Sequence, residues 1–97
     1  MPGERFVDFA WDPQKARSNF RKHGISFAEA ITVFGDLGAV TVDDLLHSSF
    51  EDRMAIIGLS GRRRLVVVTH VSRGATIRII SARPATRREH RLYEEAR

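Results

Sequence analysis

No cysteine occurs in the 97 residues. Disulfides and thiolate metal ligands are therefore excluded, and a reducing cytoplasm is the simplest home for the chain. Long apolar runs are missing as well. Leu65–Val68 is far too short to span a bilayer. The opening segment, with acids at Glu4, Asp8 and Asp12, reads as neither a secretion signal nor an anchor, so no membrane association is expected. No repeat, low-complexity tract or Pro/Gly-rich linker divides the sequence. One domain, residues 1–97, with a modest core is expected. His23, His47, His70 and His90 lie in separate segments without the spacing of metal-binding motifs, so neither a metal site nor a cofactor is expected. Glycine-rich phosphate loops and serine nucleophile elbows are also lacking.

Charge is present, and unevenly placed. The net formal charge is +4, but residues 62–97 hold ten arginines against three acids, whereas residues 1–61 are net acidic. Lysine is absent from the basic half. Arginine presents a planar fork of donors that matches a phosphate, while lysine is a point charge. An anionic partner is the stronger reading of this half, against a merely solvated surface.

Helix signals come first. Asp12-Pro13 reads as an N-cap followed by proline at the first helical position, and Gly24 stands where a left-handed C-cap is wanted. Ala16 and Phe20 share one face of that helix, with Trp11 or Phe9 beside them, and the tryptophan and phenylalanines are expected in the core. Ser26 and Glu29 fit a capping box for a second helix bearing Phe27, Ala30, Ile31 and Phe34 on one face, ended by Gly35-Asp36. The period then becomes two. Strands are expected near Val40–Val42, Met54–Leu59, Leu65–Val71 and Thr76–Ala82, with the continuous β-branched third run at the centre of the sheet. Thr86 and Glu89 form another capping box before a last helix with a thin apolar face, which should pack weakly at an edge. The expected fold class is α+β: a short N-terminal strand, two helices, a four-stranded antiparallel meander and a C-terminal helix, with helices on one sheet face and the other open.

An ordered set of motifs runs through almost the whole chain: Trp11-Asp12-Pro13, Asn19, Lys22-His23-Gly24, Phe27 through Phe34-Gly35-Asp36, Asp44, His47, Glu51, Arg53, Arg78 to Arg83, Glu89 and Tyr93. In this the chain resembles the BrnT toxin family. The resemblance implies a RelE-like ribonuclease fold and inhibition of translation by RNA cleavage. It also implies a ribbon–helix–helix antitoxin whose complex, expected to be 2:2, binds operator DNA. Pro84 departs from the pattern; it threatens to shorten the last strand and biases Arg83 to an extended conformation.

The residues can be matched to chemistry. RNA carries its own nucleophile, the 2′-hydroxyl. A metal-independent endoribonuclease needs a base for that hydroxyl, a cation for the pentavalent phosphate and an acid for the leaving 5′-oxygen, giving a 2′,3′-cyclic phosphate. His47, Glu51 and Arg53 form the most attractive cluster, set against a solvated loop with a surface ion pair. Lys22 and His23 are further candidates, though cations at a helix C-terminus also simply complement its dipole. Arg83 is the favoured phosphate clamp. Arg78 lies an odd number of residues away, so a regular strand turns it to the opposite face, and only a bulge or the strand end brings both into one site. It could instead pair with an acid or contact the antitoxin. Arg64, Arg73 and Arg88 complete the candidate RNA contacts. Tyr93 either stacks on a base or packs on the sheet, with packing favoured. Glu89 is assigned first to its capping box, and His70, within an apolar strand, to the core. Two other classes of function remain open: a nucleic-acid-binding module that does not cut, and an antitoxin-binding regulatory subunit.

Overall fold

The computed structural model describes residues 7–43 and 52–96. Its elements are β1 (Asp8–Ala10), α1 (Pro13–His23), α2 (Phe27–Thr32) followed by a 3-10 turn (Val33–Gly35), β2 (Val40–Asp43), β3 (Arg53–Leu59), β4 (Leu65–Arg73), β5 (Thr76–Pro84) and α3 (Arg87–Glu95). Each helix begins as its cap residues dictate. Asp12 accepts from the Gln14 amide at 2.9 Å, Ser26 Oγ from the Glu29 amide at 3.0 Å, and Thr86 Oγ1 from the Glu89 amide at 3.2 Å. Gly24 ends α1 at φ 72°, a left-handed conformation that glycine adopts without a Cβ clash. No helix among the described residues is long and apolar enough to cross a membrane.

Five strands form one sheet in the order β1-β5-β4-β3-β2. β2 to β5 make the expected antiparallel meander, and β1 adds to it in parallel beside β5. The central β4 explains its own continuous β-branched sequence. Val66 and Val68 enter the main core with Ile25, Phe27, Val33 and Ile79, beneath α1 and α2. Val67 points the other way and packs with Ile57 and Tyr93. The last helix therefore lies across the face opposite α1 and α2. This corrects the expectation that the face opposite α1 and α2 is open and that the last helix packs only at an edge. One buried aromatic, Tyr93, anchors α3, and its hydroxyl donates to Asp36 Oδ2 at 2.7 Å.

Asp36 gathers this region. Its carboxylate also accepts from the amides of Gly38 (2.9 Å) and Leu59 (2.8 Å), tying the end of the 3-10 turn to the end of β3. Gly58 lies against the same group. A Cβ there would come 2.9 Å from the Ala39 Cβ and 3.1 Å from Asp36 Oδ2, which leaves room only for glycine.

Beyond Ala10, no strand among the described residues lies on the outer side of β5. Asn19 of α1 substitutes for one. Its amide nitrogen donates to the Ala82 carbonyl (2.8 Å) and the Ile25 carbonyl (3.0 Å), and its oxygen accepts from the Ala82 amide (3.1 Å). A side-chain amide thereby pairs both polar groups of a buried strand residue. Pro84 does not shorten β5, contrary to expectation. Alternate residues turn their N–H to opposite sides, so Pro84 faces the outer edge like Ala82, while the Ala85 amide bonds back to the Leu65 carbonyl at 3.0 Å.

Candidate nucleic-acid interface

β5 carries one extra residue. Opposite β4, Ile79 pairs with His70 and Ser81 with Thr69, leaving Ile80 as a bulge. The bulge shifts the phase of the strand. Arg78 pairs with Val71 and Arg83 with Val67, two residues on the same face of β4, so the arginines five positions apart point to the same side. Arg53 also pairs with Val71. One cross-strand row thus reads Arg53–Val71–Arg78, the two arginines about 10 Å apart at two strand spacings. Arg73, two residues beyond Val71, faces the same way. Four arginines from three strands share the face on which α3 packs, and α3 covers the other end of it, over Ile57 and Val67.

Arg83 is positioned by α3. Its two terminal nitrogens donate to the two oxygens of Glu89, each at 2.8 Å. Glu89 simultaneously closes the capping box by accepting from the Thr86 amide at 2.8 Å. The guanidinium holds the Glu89 carboxyl well down, to about 2 from an ordinary 4.5. Since the folded value lies below the unfolded one, the pair stabilises fully above about pH 4.5 and loses that contribution as the pH falls towards 2. Arg83 is 40% exposed, so solvent screening limits the contribution to about 1 kcal/mol. In urea titrations the Glu89→Gln protein is expected to be less stable than the parent at pH 6. The gap should narrow steadily between pH 4.5 and 2; a gap independent of pH would refute the role given to the ion pair.

Lys22 and His23 stand at the edge of this face. With Lys15, Ser18 and Ser81 they line a polar cleft of about 220 Å³ between α1 and the bulge in β5. Ser81 pairs with Thr69 and so belongs to the arginine side of the sheet. Sequence reasoning missed Lys15 and Ser18. Their signal is the spacing Lys15, Ser18, Lys22, a polar stripe on the side of α1 opposite Ala16 and Phe20.

Other expected contacts are placed elsewhere. Arg64 belongs to the α2 side: its Nε donates to Glu29 Oε2 at 3.0 Å, a terminal nitrogen pairs with the other Glu29 oxygen and also reaches the Gly24 carbonyl at 3.1 Å. Ser60 Oγ adds a 2.7 Å bond to the same buried carboxylate. Arg64, beside this carboxylate, holds Glu29 below the usual carboxylate range. The capping box at Ser26 is accordingly half made, because Glu29 bonds to Arg64 and Ser60 while Ser26 still caps the helix. Tyr93 is buried in packing, where its ring has no face to offer a base. Arg88 is exposed on α3. His70 is a core residue, its Nδ1 3.2 Å from the Val68 carbonyl and its ring edge-on to Phe34, and burial lowers its pKa. His47 and Glu51 lie outside the described residues, as does Asp44. No group of three or more histidine or acidic side chains suited to a metal ion occurs among the described residues.

Comparison with known proteins bears on this arrangement. A family model described as the ribonuclease toxin, BrnT, of type II toxin–antitoxin systems matches residues 11–89. The crystal structure of the Brucella abortus ribonuclease toxin BrnT superposes with a TM-score of 0.65 at 25% identity, covering 84% of this chain and 100% of that one. No curated protein sequence matches. The matched span begins at the Trp11-Asp12-Pro13 cap and closes at Glu89, the residue that orients Arg83, and the chain belongs to the BrnT family of ribonuclease toxins of type II toxin–antitoxin systems.

Proposed function

We propose that this chain is a single-domain endoribonuclease that cuts RNA without a metal ion, acts in the cytoplasm to stop translation, and is neutralised by a ribbon–helix–helix antitoxin. The observation that carries the reading is the arginine face, where a bulge at Ile80 turns Arg78 to the same side as Arg53, Arg73 and Arg83. Arginine forks bind phosphate oxygens in pairs, so the face can grip successive phosphates of a single strand and spread the charge that develops at the scissile one. Arg83, whose two terminal nitrogens each give one N–H to Glu89, offers its remaining N–H donors to that phosphate, and Arg53 and Arg78 form a second row four residues further along β4. Arg73 and Arg88 lie further along the basic surface.

Acid–base catalysis requires two proton transfers. The base takes the proton of the 2′-hydroxyl as its oxygen attacks phosphorus. The acid returns a proton to the departing 5′-oxygen, leaving a 2′,3′-cyclic phosphate and a 5′-hydroxyl. Histidine titrates close to neutrality and can serve either step. His23 in the edge cleft and His47, which precedes Arg53 in the sequence, are the candidates, with Lys22 and Glu51 assisting. The antitoxin complex is assigned 2:2 stoichiometry and operator binding, as the family resemblance implies.

The deciding experiment incubates purified, antitoxin-free protein with a defined RNA in EDTA and analyses the ends. Cleavage leaving 2′,3′-cyclic phosphate is expected. Intact RNA that remains bound to the protein would replace this reading with that of a non-cutting binding module.

A further inference from the structure

Phe20 belongs to an apolar pattern but not to the core. It is 53% exposed, although its helical partner Ala16 and its neighbours Trp11 and Phe27 pack inward. Together these four side chains line a groove of about 430 Å³ between α1 and the start of α2, with Arg17 and Arg21 on its rim. Trp11 and Phe27 meet edge to face at 6.0 Å and form its floor. The two arginines are one helical turn apart and lie together on one side of Phe20. On α1 this groove lies on the side opposite the Lys15–Lys22 stripe that lines the cleft at the arginine face. The helix thus separates two surfaces, one polar and cationic, one apolar with a cationic rim.

A large exposed aromatic at the mouth of an apolar groove costs solvation unless something covers it. We propose that the groove is the anchor point for the antitoxin, which inserts an apolar side chain beside Phe20 and sets carboxylates against Arg17 and Arg21. Charge complementarity selects this occupant: an apolar residue flanked by acids satisfies both floor and rim, and the toxin's net charge of +4 attracts an acidic partner over longer range. The inference rests on membership of a toxin–antitoxin family and not on the catalytic reading of the arginine face. Capture and cleavage should accordingly be separable by mutation.

The test uses the full-length chain and its cognate antitoxin, with affinity measured by calorimetry and RNA cleavage followed on the same free proteins. Phe20→Asp and the double variant Arg17→Glu/Arg21→Glu are each expected to weaken antitoxin binding by at least about 30-fold, as loss of a central interface anchor does, while cleavage stays within about twofold of the parent. The double variant alters exposed rim residues only, so it reports on docking even if Phe20→Asp perturbs folding. Parent-like affinity in both variants overturns the proposal, as does failure of the parent chain to bind the antitoxin. Conversion of a parent dimer to a monomer by Phe20→Asp, with antitoxin binding retained, also overturns it by assigning the groove to a second copy of the chain.

Discussion

RNA cleavage by the Arg78→Ala protein is expected to fall about 100-fold, the size of effect seen when one preorganised donor to a developing charge is removed. Arg53→Ala should lose a similar factor. If the two forks hold one phosphate from either side of Val71, the double variant will lose less than the product of the single losses, because the groups act as a unit. Each replacement should also reduce the salt dependence of binding to an uncleavable single strand by about 0.7 in the log–log slope. Arg64→Ala supplies the contrast. Its guanidinium is committed to Glu29 and the Gly24 carbonyl on the α2 side, so its loss should lower the melting temperature and leave cleavage unchanged. Equal effects of Arg64→Ala and Arg78→Ala on cleavage would show that net positive charge, and not the geometry of the face, is what RNA requires.

The second large effect is on stability. Asn19→Ala removes the partners of the Ala82 N–H, the Ala82 carbonyl and the Ile25 carbonyl in one step. Unpaired buried polar groups cost about 1–3 kcal/mol each. Water can reach the outer edge of β5 in part, so a loss of about 3 kcal/mol is expected. That is a large share of the total of a domain this size, and corresponds to a fall in melting temperature of more than about 10 °C. Asn19→Asp is the sharper probe. It preserves shape and the acceptor for the Ala82 amide, but sets a carboxylate oxygen against two carbonyls in place of a donor. It should be at least as unstable as the alanine variant at neutral pH. A melting temperature within a degree or two of the parent would mean that the amide bridge contributes little to holding α1 on the sheet.

Much of the frame that holds Arg78 and Asn19 is legible in the sequence. Local rules are enough for the caps at Asp12, Ser26 and Thr86, the left-handed Gly24, the four meander strands and the central place of Leu65–Val71, because each depends on neighbours within a few positions. The concentration of arginine after residue 61 points to an anionic partner through composition alone. The motif set from Trp11 to Tyr93 points to the family, which the match over residues 11–89 establishes.

Only the tertiary structure decided the rest, and the reason is separation along the chain. Nothing local marks Ile80 as a bulge, yet that one extra residue determines whether Arg78 and Arg83 share a face. Asn19 meets Ala82 across 63 positions, Arg64 meets Glu29 across 35 and Tyr93 meets Asp36 across 57. Each of those pairings takes a side chain whose type permits several roles and assigns it one. The sequence by itself determined which groups were available and where strands and helices would begin. Packing determined which arginines share one face of the sheet, which one braces a helix, and why Phe20, whose spacing matches a core position, stands at the surface.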